Sequence, residues 1–271
     1  MSELSPILIV LPVLGLLAGF LAGLLGIGTG FLTIPIMAWT FARLDPAAAP
    51  LALHVAIGTS MATILPTSLA SARAHWREGG LDWTSLRAWA PFVVLGALGG
   101  GALARLFDAQ ALTLVFAVLV GLFALNMGLR NGLPLMRNPP TGRVATRVTA
   151  WLTGTLSALL GFGGAIISVP ALRAGGLGMH RAVGTGAAIG FLIALPGTLG
   201  HVAAGWGAAP LPPYSLGFVN LAALALLAPF TVAAAPFGAR VSHRTDAARL
   251  KRIFALYLGF VSLRMLWSAL G

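Results

Sequence analysis

Charged residues are absent from long stretches of this chain. Uncharged, mostly apolar runs cover Pro6–Trp39, Pro50–Ala72, Ala88–Ala104, Ala109–Leu129, Val148–Leu172, Ala182–Leu211, Tyr214–Ala239 and Ile253–Leu263. Each predicts a membrane crossing or a deep insertion, because roughly 20 apolar residues span the hydrocarbon core. No basic segment precedes Pro6–Leu25, so a cleaved leader is not expected. Two runs, Pro6–Trp39 and Val148–Leu172, are interrupted by glycine at Gly26–Gly30 and Gly161–Gly164. Each therefore reads either as one crossing or as a re-entrant broken-helix hairpin that enters and leaves on the same side.

Basic residues decide between these. With hairpins, 14 of the 17 Lys and Arg fall on one face, and only Arg43, Arg105 and Arg264 on the other. With single crossings the split is eight against nine. Cytoplasmic loops collect Lys and Arg, so the hairpin arrangement is favoured. The uncharged Ala204–Ser215 connection is then outside.

The chain also repeats itself. Leu25-Gly26-Ile27-Gly28-Thr29-Gly30…Pro35 aligns with Leu160-Gly161-Phe162-Gly163-Gly164-Ala165…Pro170 at an offset of 135. Ala56-Ile57-Gly58-Thr59 aligns with Ala182-Val183-Gly184-Thr185 at an offset of 126, which also pairs His75 with His201 and Gly79 with Gly205. A third block pairs Leu112, Phe116, Gly121 and Met127 with Leu250, Phe254, Gly259 and Met265 at an offset of 138. The expected organisation is all-α and polytopic. Residues 1–129 form repeat 1 (hairpin 6–42, then three transmembrane helices) and 130–146 a basic cytoplasmic linker. Residues 147–271 form repeat 2 (hairpin 147–174, then three transmembrane helices). Three is odd, so the second repeat is inverted in the membrane relative to the first.

Composition narrows the function. Only 8% of residues are charged, against about 25% in soluble domains. The net charge of +11 comes from basic residues at the edges of apolar runs, where they meet headgroups, so lipid and not nucleic acid is the expected partner. Cysteine is absent, which removes disulfides, thiolate metal sites and a sulfur nucleophile. Glycine is 35 of 271; Gly15-xxx-Gly19-xxx-Gly23 and Gly96-xxx-Gly100 predict close helix packing.

The candidate chemistry sits at the breaks. A helix broken at membrane depth must line a cavity or be buried in protein. After Gly28-Thr29-Gly30 and after Gly163-Gly164 a short second helix is expected to begin. Its free N–H groups and positive dipole end suit an anion. Thr33 and Ser168 add hydroxyls in the first turn; Thr59, Ser60 and Thr185, in the next helix, lie roughly 10 Å into the membrane. The substrate-binding candidates are therefore Gly28, Thr29, Gly30, Thr33, Thr59, Ser60, Gly163, Gly164, Ser168 and Thr185. For the threonines and serines the competing reading is a bond to their own helix carbonyl.

His75 and His201 come roughly 35 Å along their helices, which predicts an interfacial packing role at the inner and outer surfaces. His54, His180 and His243 are expected to be solvated, and none of the five histidines has metal-ligand spacing. All six acidic residues lie outside the apolar runs, so neither a buried proton relay nor a carboxylate cation site is expected. Arg264 is expected to snorkel outward. No catalytic set, cofactor or metal is expected.

These residues resemble the TauE/SafE sulfite exporter family. The likeness is carried by Leu25–Gly30 with Pro35, Gly58-Thr59-Ser60, His75…Gly79 with Asp82-Trp83, and Leu160–Gly164 with Pro170 and Gly184-Thr185. It covers both halves in order. The first glycine string departs from the family's near-unbroken glycines at Ile27 and Thr29. The resemblance implies a multi-pass inner-membrane transporter that exports sulfite or an organosulfonate. A non-transporting membrane subunit or intramembrane enzyme, or an importer of another small oxyanion, stays open, as does a homo-oligomer.

Overall fold

The computed structural model describes residues 5–25, 28–129, 142–241 and 247–270, with side chains of 5–9, 25 and 247–251 left aside. The Gly26–Ile27 part of the first glycine string, the linker as far as residue 141 and His243 thus lie outside what is described.

The described chain is almost wholly helical. In order come α1 (Ser5–Leu25), α2 (Gly30–Leu44), a 3-10 turn (Pro46–Leu51), α3 (Ala52–Arg77), α4 (Trp83–Leu103) and α5 (Ala109–Gly128). Then follow α6 (Arg143–Leu160), α7 (Ala165–Ala174), α8 (Met179–Ala204), a two-residue β-ribbon at Ser215–Leu216 and Val219–Asn220, α9 (Leu221–Val241) and α10 (Ala247–Leu270). Among the described residues six helical stretches are long and apolar enough to cross a membrane: Pro46–Arg77, Trp83–Leu106, Ala109–Gly128, Met179–Ala204, Leu221–Val241 and Arg252–Leu270. This is a multi-pass membrane protein. The sequence places the start of α6 at 147, whereas the helix already begins at Arg143.

Acidic and amide side chains start these helices. Asp82 accepts from the Ser85 N–H (2.8 Å), Asp108 from Ala111 (2.7 Å) and Asn220 from Ala223 (2.9 Å), each satisfying a donor that the first turn leaves without a carbonyl. Such caps are worth about 0.5–2 kcal/mol each. They give two of the non-membrane carboxylates a structural purpose.

α3 and α8 cross antiparallel at the centre. A methyl at Gly197 would stand 3.0 Å from Met61 Cε, and one at Gly184 2.8 Å from His75 Cβ. Flanking this pair, α1 runs parallel to α9 and α6 runs parallel to α4 at backbone contact. A methyl at Gly15 would meet the Leu227 carbonyl at 2.9 Å; Gly19 and Gly23 sit against Thr231 and Ala235 still more tightly. Gly96 and Gly100 lie likewise on Trp151 and Thr155 of α6. The small-residue stripes are packing devices, as their spacing implies. α5 and α10 close the bundle, joined by Ser262 Oγ donating to the Ala117 carbonyl (2.8 Å) and Gln110 Nε2 to that of Ala269 (2.8 Å).

The histidines correct the sequence reading. His75 and His201 are at helix ends, but both are buried (1% and 0% exposed). The Gly205–Asn220 segment folds back over His201, whose carbonyl receives the Phe218 N–H at 3.2 Å, and its Nε2 lies 2.8 Å from the Ala158 carbonyl. Helix length alone hid this, because a loop buried the turn expected to meet water. His54, expected in solvent, is also buried, with Nε2 3.1 Å from the Phe107 carbonyl. His180 is half-buried and bonds the Glu78 carbonyl at 3.2 Å. Arg264 is exposed.

Candidate functional site

The two glycine breaks meet. Gly28 has φ of +81°, a left-handed turn open to glycine at no steric cost. A methyl on it would stand 2.8 Å from the Gly163 nitrogen and 3.0 Å from Gly163 Cα, and one on Gly163 3.1 Å from Gly28 Cα. So the tips of the α1–α2 and α6–α7 breaks touch backbone to backbone. An aromatic clamp holds them: Phe162 stacks on Phe31 (centroids 4.0 Å, planes 13° apart) and leans on Phe116 at 5.2 Å. Such pairs add about 0.5–1.5 kcal/mol beyond their buried area.

At this junction α2 and α7 both begin. Thr29 occupies the N-cap position of α2 yet makes no capping bond; its hydroxyl is buried (1% exposed) and without a protein partner. The first N–H groups of α2 likewise lack intrahelical carbonyls. Beside them is a small cavity of about 30 Å³, lined by Ala22, Gly28, Thr29, Ile64, Thr67, Ser68, Ser71, Gly163, Ala165, Ala187 and Gly190. That is well below the roughly 300 Å³ at which ligand pockets begin, so in this conformation the cavity has room for only a few atoms. It lies between the tips and the ends of α3 and α8 that carry Arg73, Arg77 and Arg181, the basic side of the bundle. Its walls combine methyl groups with hydroxyls, and no lining side chain is charged.

Of the residues singled out in the sequence, the structure brings Gly28, Thr29 and Gly163 to this cavity. Thr33 and Ser60 lie behind the tip: Thr33 Oγ1 donates to the Thr29 carbonyl (3.2 Å) and is 3.3 Å from Ser60 Oγ, which bonds the Gly161 carbonyl at 3.2 Å. Gly30 gives the space that the Gly161 carbonyl and Ser60 Oγ occupy. Gly164 packs on Ile193 and Thr153. Ser168 is fully buried without a partner, facing α8 at Gly186.

Thr59 and Thr185 stand apart from the cavity lining. Thr59 Oγ1 donates to the Val55 carbonyl (2.6 Å) and accepts the Asn220 N–H (2.9 Å); Thr185 Oγ1 accepts the Asp82 N–H (2.9 Å). Each pins the cap residue of a helix from the other half. Asp82 also pairs with Arg181 at 2.6 Å. Hydrogen bonds from Ser85, then the Arg181 guanidinium, hold the Asp82 carboxyl below its ordinary pKa.

Thr67, Ser68 and Ser71 were not among the sequence candidates. The signal was a hydroxyl at every fourth position, Thr59, Thr63, Thr67 and Ser71, which forms one stripe of a helix.

The chain is a multi-pass bundle of a membrane-transporter family, with an uncharged cavity where its two broken helices meet. The sequence matches the family described as Sulfite exporter TauE/SafE over residues 11–265, and the chain belongs to that family. It is 32% identical over 251 residues to a "Probable membrane transporter protein" of Haemophilus influenzae, covering 93% of this chain and 95% of that one. A protein of the same description from Methanocaldococcus jannaschii is 24% identical over 264 residues, 97% of this chain and 96% of its own. No solved structure matches the chain.

Proposed function

We propose that this chain exports a small sulfur-containing anion, sulfite or an organosulfonate, across the inner (plasma) membrane through the cavity at the two glycine tips. One observation carries the reading: the unpartnered, buried Thr29 hydroxyl at the start of α2, facing a cavity where the two broken helices meet. N–H groups and dipole ends favour an anion without a fixed counter-charge, and do so more strongly in a water-poor site. Gly28, Thr29, Gly30, Gly163 and Gly164 shape the anion seat, with Thr33, Ser60 and Ser168 beneath it. Thr59 and Thr185 join the site as the pins of its scaffold.

The reading includes two inverted repeats, 1–129 and 147–271, joined by a cytoplasmic linker at 130–146. Its support is the antiparallel crossing of the repeat-related α3 and α8, and the matched contacts α1 with α9 and α6 with α4. Alternating access then follows from rocking of the two hairpin-bearing units about the site.

The test is flux. Purified protein in liposomes is expected to move sulfite or a short sulfonate down its gradient, and no counterflow for any member of a sulfur-oxyanion and sulfonate panel would remove the proposal. Topology is tested separately: the chain has no cysteine, so single cysteines at Ala208 and Asn138 report sidedness cleanly. Ala208→Cys should label from outside and Asn138→Cys only after permeabilisation.

A further inference from the structure

We propose that Ser71 is an anion-binding hydroxyl of the cavity, a second donor to the anion held by Thr29; this rests on the transport reading above. Hydroxyls on membrane helices ordinarily bond the carbonyl one turn back. Along α3 that is what Thr59, Thr63 and Thr67 do, with Thr67 Oγ1 donating to the Thr63 carbonyl at 2.8 Å and lying 2.8 Å from Thr231 Oγ1 of α9. Ser68 bonds the Leu65 carbonyl at 3.2 Å. Ser71 breaks the pattern. It is buried (6% exposed), lines the cavity, and among the described residues its hydroxyl makes no protein hydrogen bond. Its proton is therefore available to a ligand, as is that of Thr29.

The opposite side of the bundle sharpens the assignment. At the repeat offset of 126, Thr67, Ser68 and Ser71 correspond to Ile193, Ala194 and Gly197. Ile193 and Ala194 are fully buried, and a methyl at Gly197 would meet Met61 Cε at 3.0 Å and Ala158 Cβ at 3.2 Å. The mirror position has neither hydroxyl nor space. The hydroxyls that line the cavity thus come from the first repeat alone, and Ser71 is the one nearest the basic end of α3.

The experiment measures KM and maximal rate for sulfite and for methanesulfonate in liposomes, with wild type, Ser71→Ala and Ser71→Thr. A hydrogen bond to a charged group predicts a KM about tenfold higher for Ser71→Ala, with the maximal rate little changed. Ser71→Thr, which keeps the hydroxyl, should return KM toward wild type, and anion-induced thermal stabilisation should fall in parallel for the alanine variant only. A wild-type KM in Ser71→Ala overturns the proposal. So does equal impairment of the alanine and threonine variants, which would mark a steric role. Wild type that moves neither anion defeats the transport reading itself, and this inference with it.

Discussion

Replacing Gly28 by alanine isolates what the touching tips contribute. Gly79 supplies the control, since it too has a left-handed backbone (φ +71°) but nothing within 4 Å of an added methyl. Left-handed geometry costs an L-residue about 1–2 kcal/mol, and both variants carry that cost. Only Gly28→Ala adds a collision, with Gly163 N at 2.8 Å and Cα at 3.0 Å. Ordinary contact requires the tips to separate by about 0.5–1 Å, and overpacking of this kind costs about 1–3 kcal/mol more. The tip methyl also covers the N–H groups proposed to face the anion. Thermal unfolding in detergent should therefore show Gly28→Ala destabilised by about 2–5 kcal/mol and Gly79→Ala by about 1–2 kcal/mol. Flux per correctly inserted molecule should fall at least about tenfold in Gly28→Ala and stay near wild type in Gly79→Ala, equivalent to losing one charge-assisted hydrogen bond. Equal flux in the two variants would refute the idea that the tip contact forms the anion seat.

Other variants separate scaffold from site. His201→Gln removes a buried ring bonded to the Ala158 carbonyl, away from the cavity, so stability should drop by about 1–3 kcal/mol while flux per folded molecule is kept; a dead but folded variant would reinstate histidine chemistry. Phe162→Ala unstacks the clamp and should cost about 3–5 kcal/mol in thermal unfolding, with loss of flux even where folded protein is recovered. Asp82 has a folded pKa below its unfolded 3.8, so its contribution is present above about pH 4 and lost as pH falls through the lower folded value. Asp82→Asn keeps an amide cap like that of Asn220 but removes this titration. Melting temperature followed from pH 6 to pH 3 should fall less steeply in Asp82→Asn than in wild type, and identical slopes would refute the assignment.

Much of this was legible in the chain. Apolar run lengths placed the six long crossings, and glycines at i, i+4 spacing located both close helix pairs, since each property is local to one segment. The tips' broken helices were legible for the same reason. What escaped was non-local. His201 and His54 lie under loops that pack back from distant parts of the sequence. Thr59 and Thr185 look like ligand groups until Asn220 and Asp82 are seen to donate to them across more than a hundred residues. Ser71 could not be told from Thr63 or Thr67 by type or spacing. Only the cavity distinguishes it.

The glycine contacts also order the protein's biogenesis. α1 leaves the ribosome well before its partner, because the surface its glycines fit, Leu227, Thr231 and Ala235 on α9, is made some 200 residues later. Until then its small-residue groove has only lipid, or a translocon wall, against it. α6 is different, because α4 already waits in the bilayer when Gly154 emerges beside Val93. Assembly therefore closes around α6 before it closes around α1. A ribosome stalled before Leu221 should leave a half-built bundle with one naked stripe, a natural signal for membrane quality control.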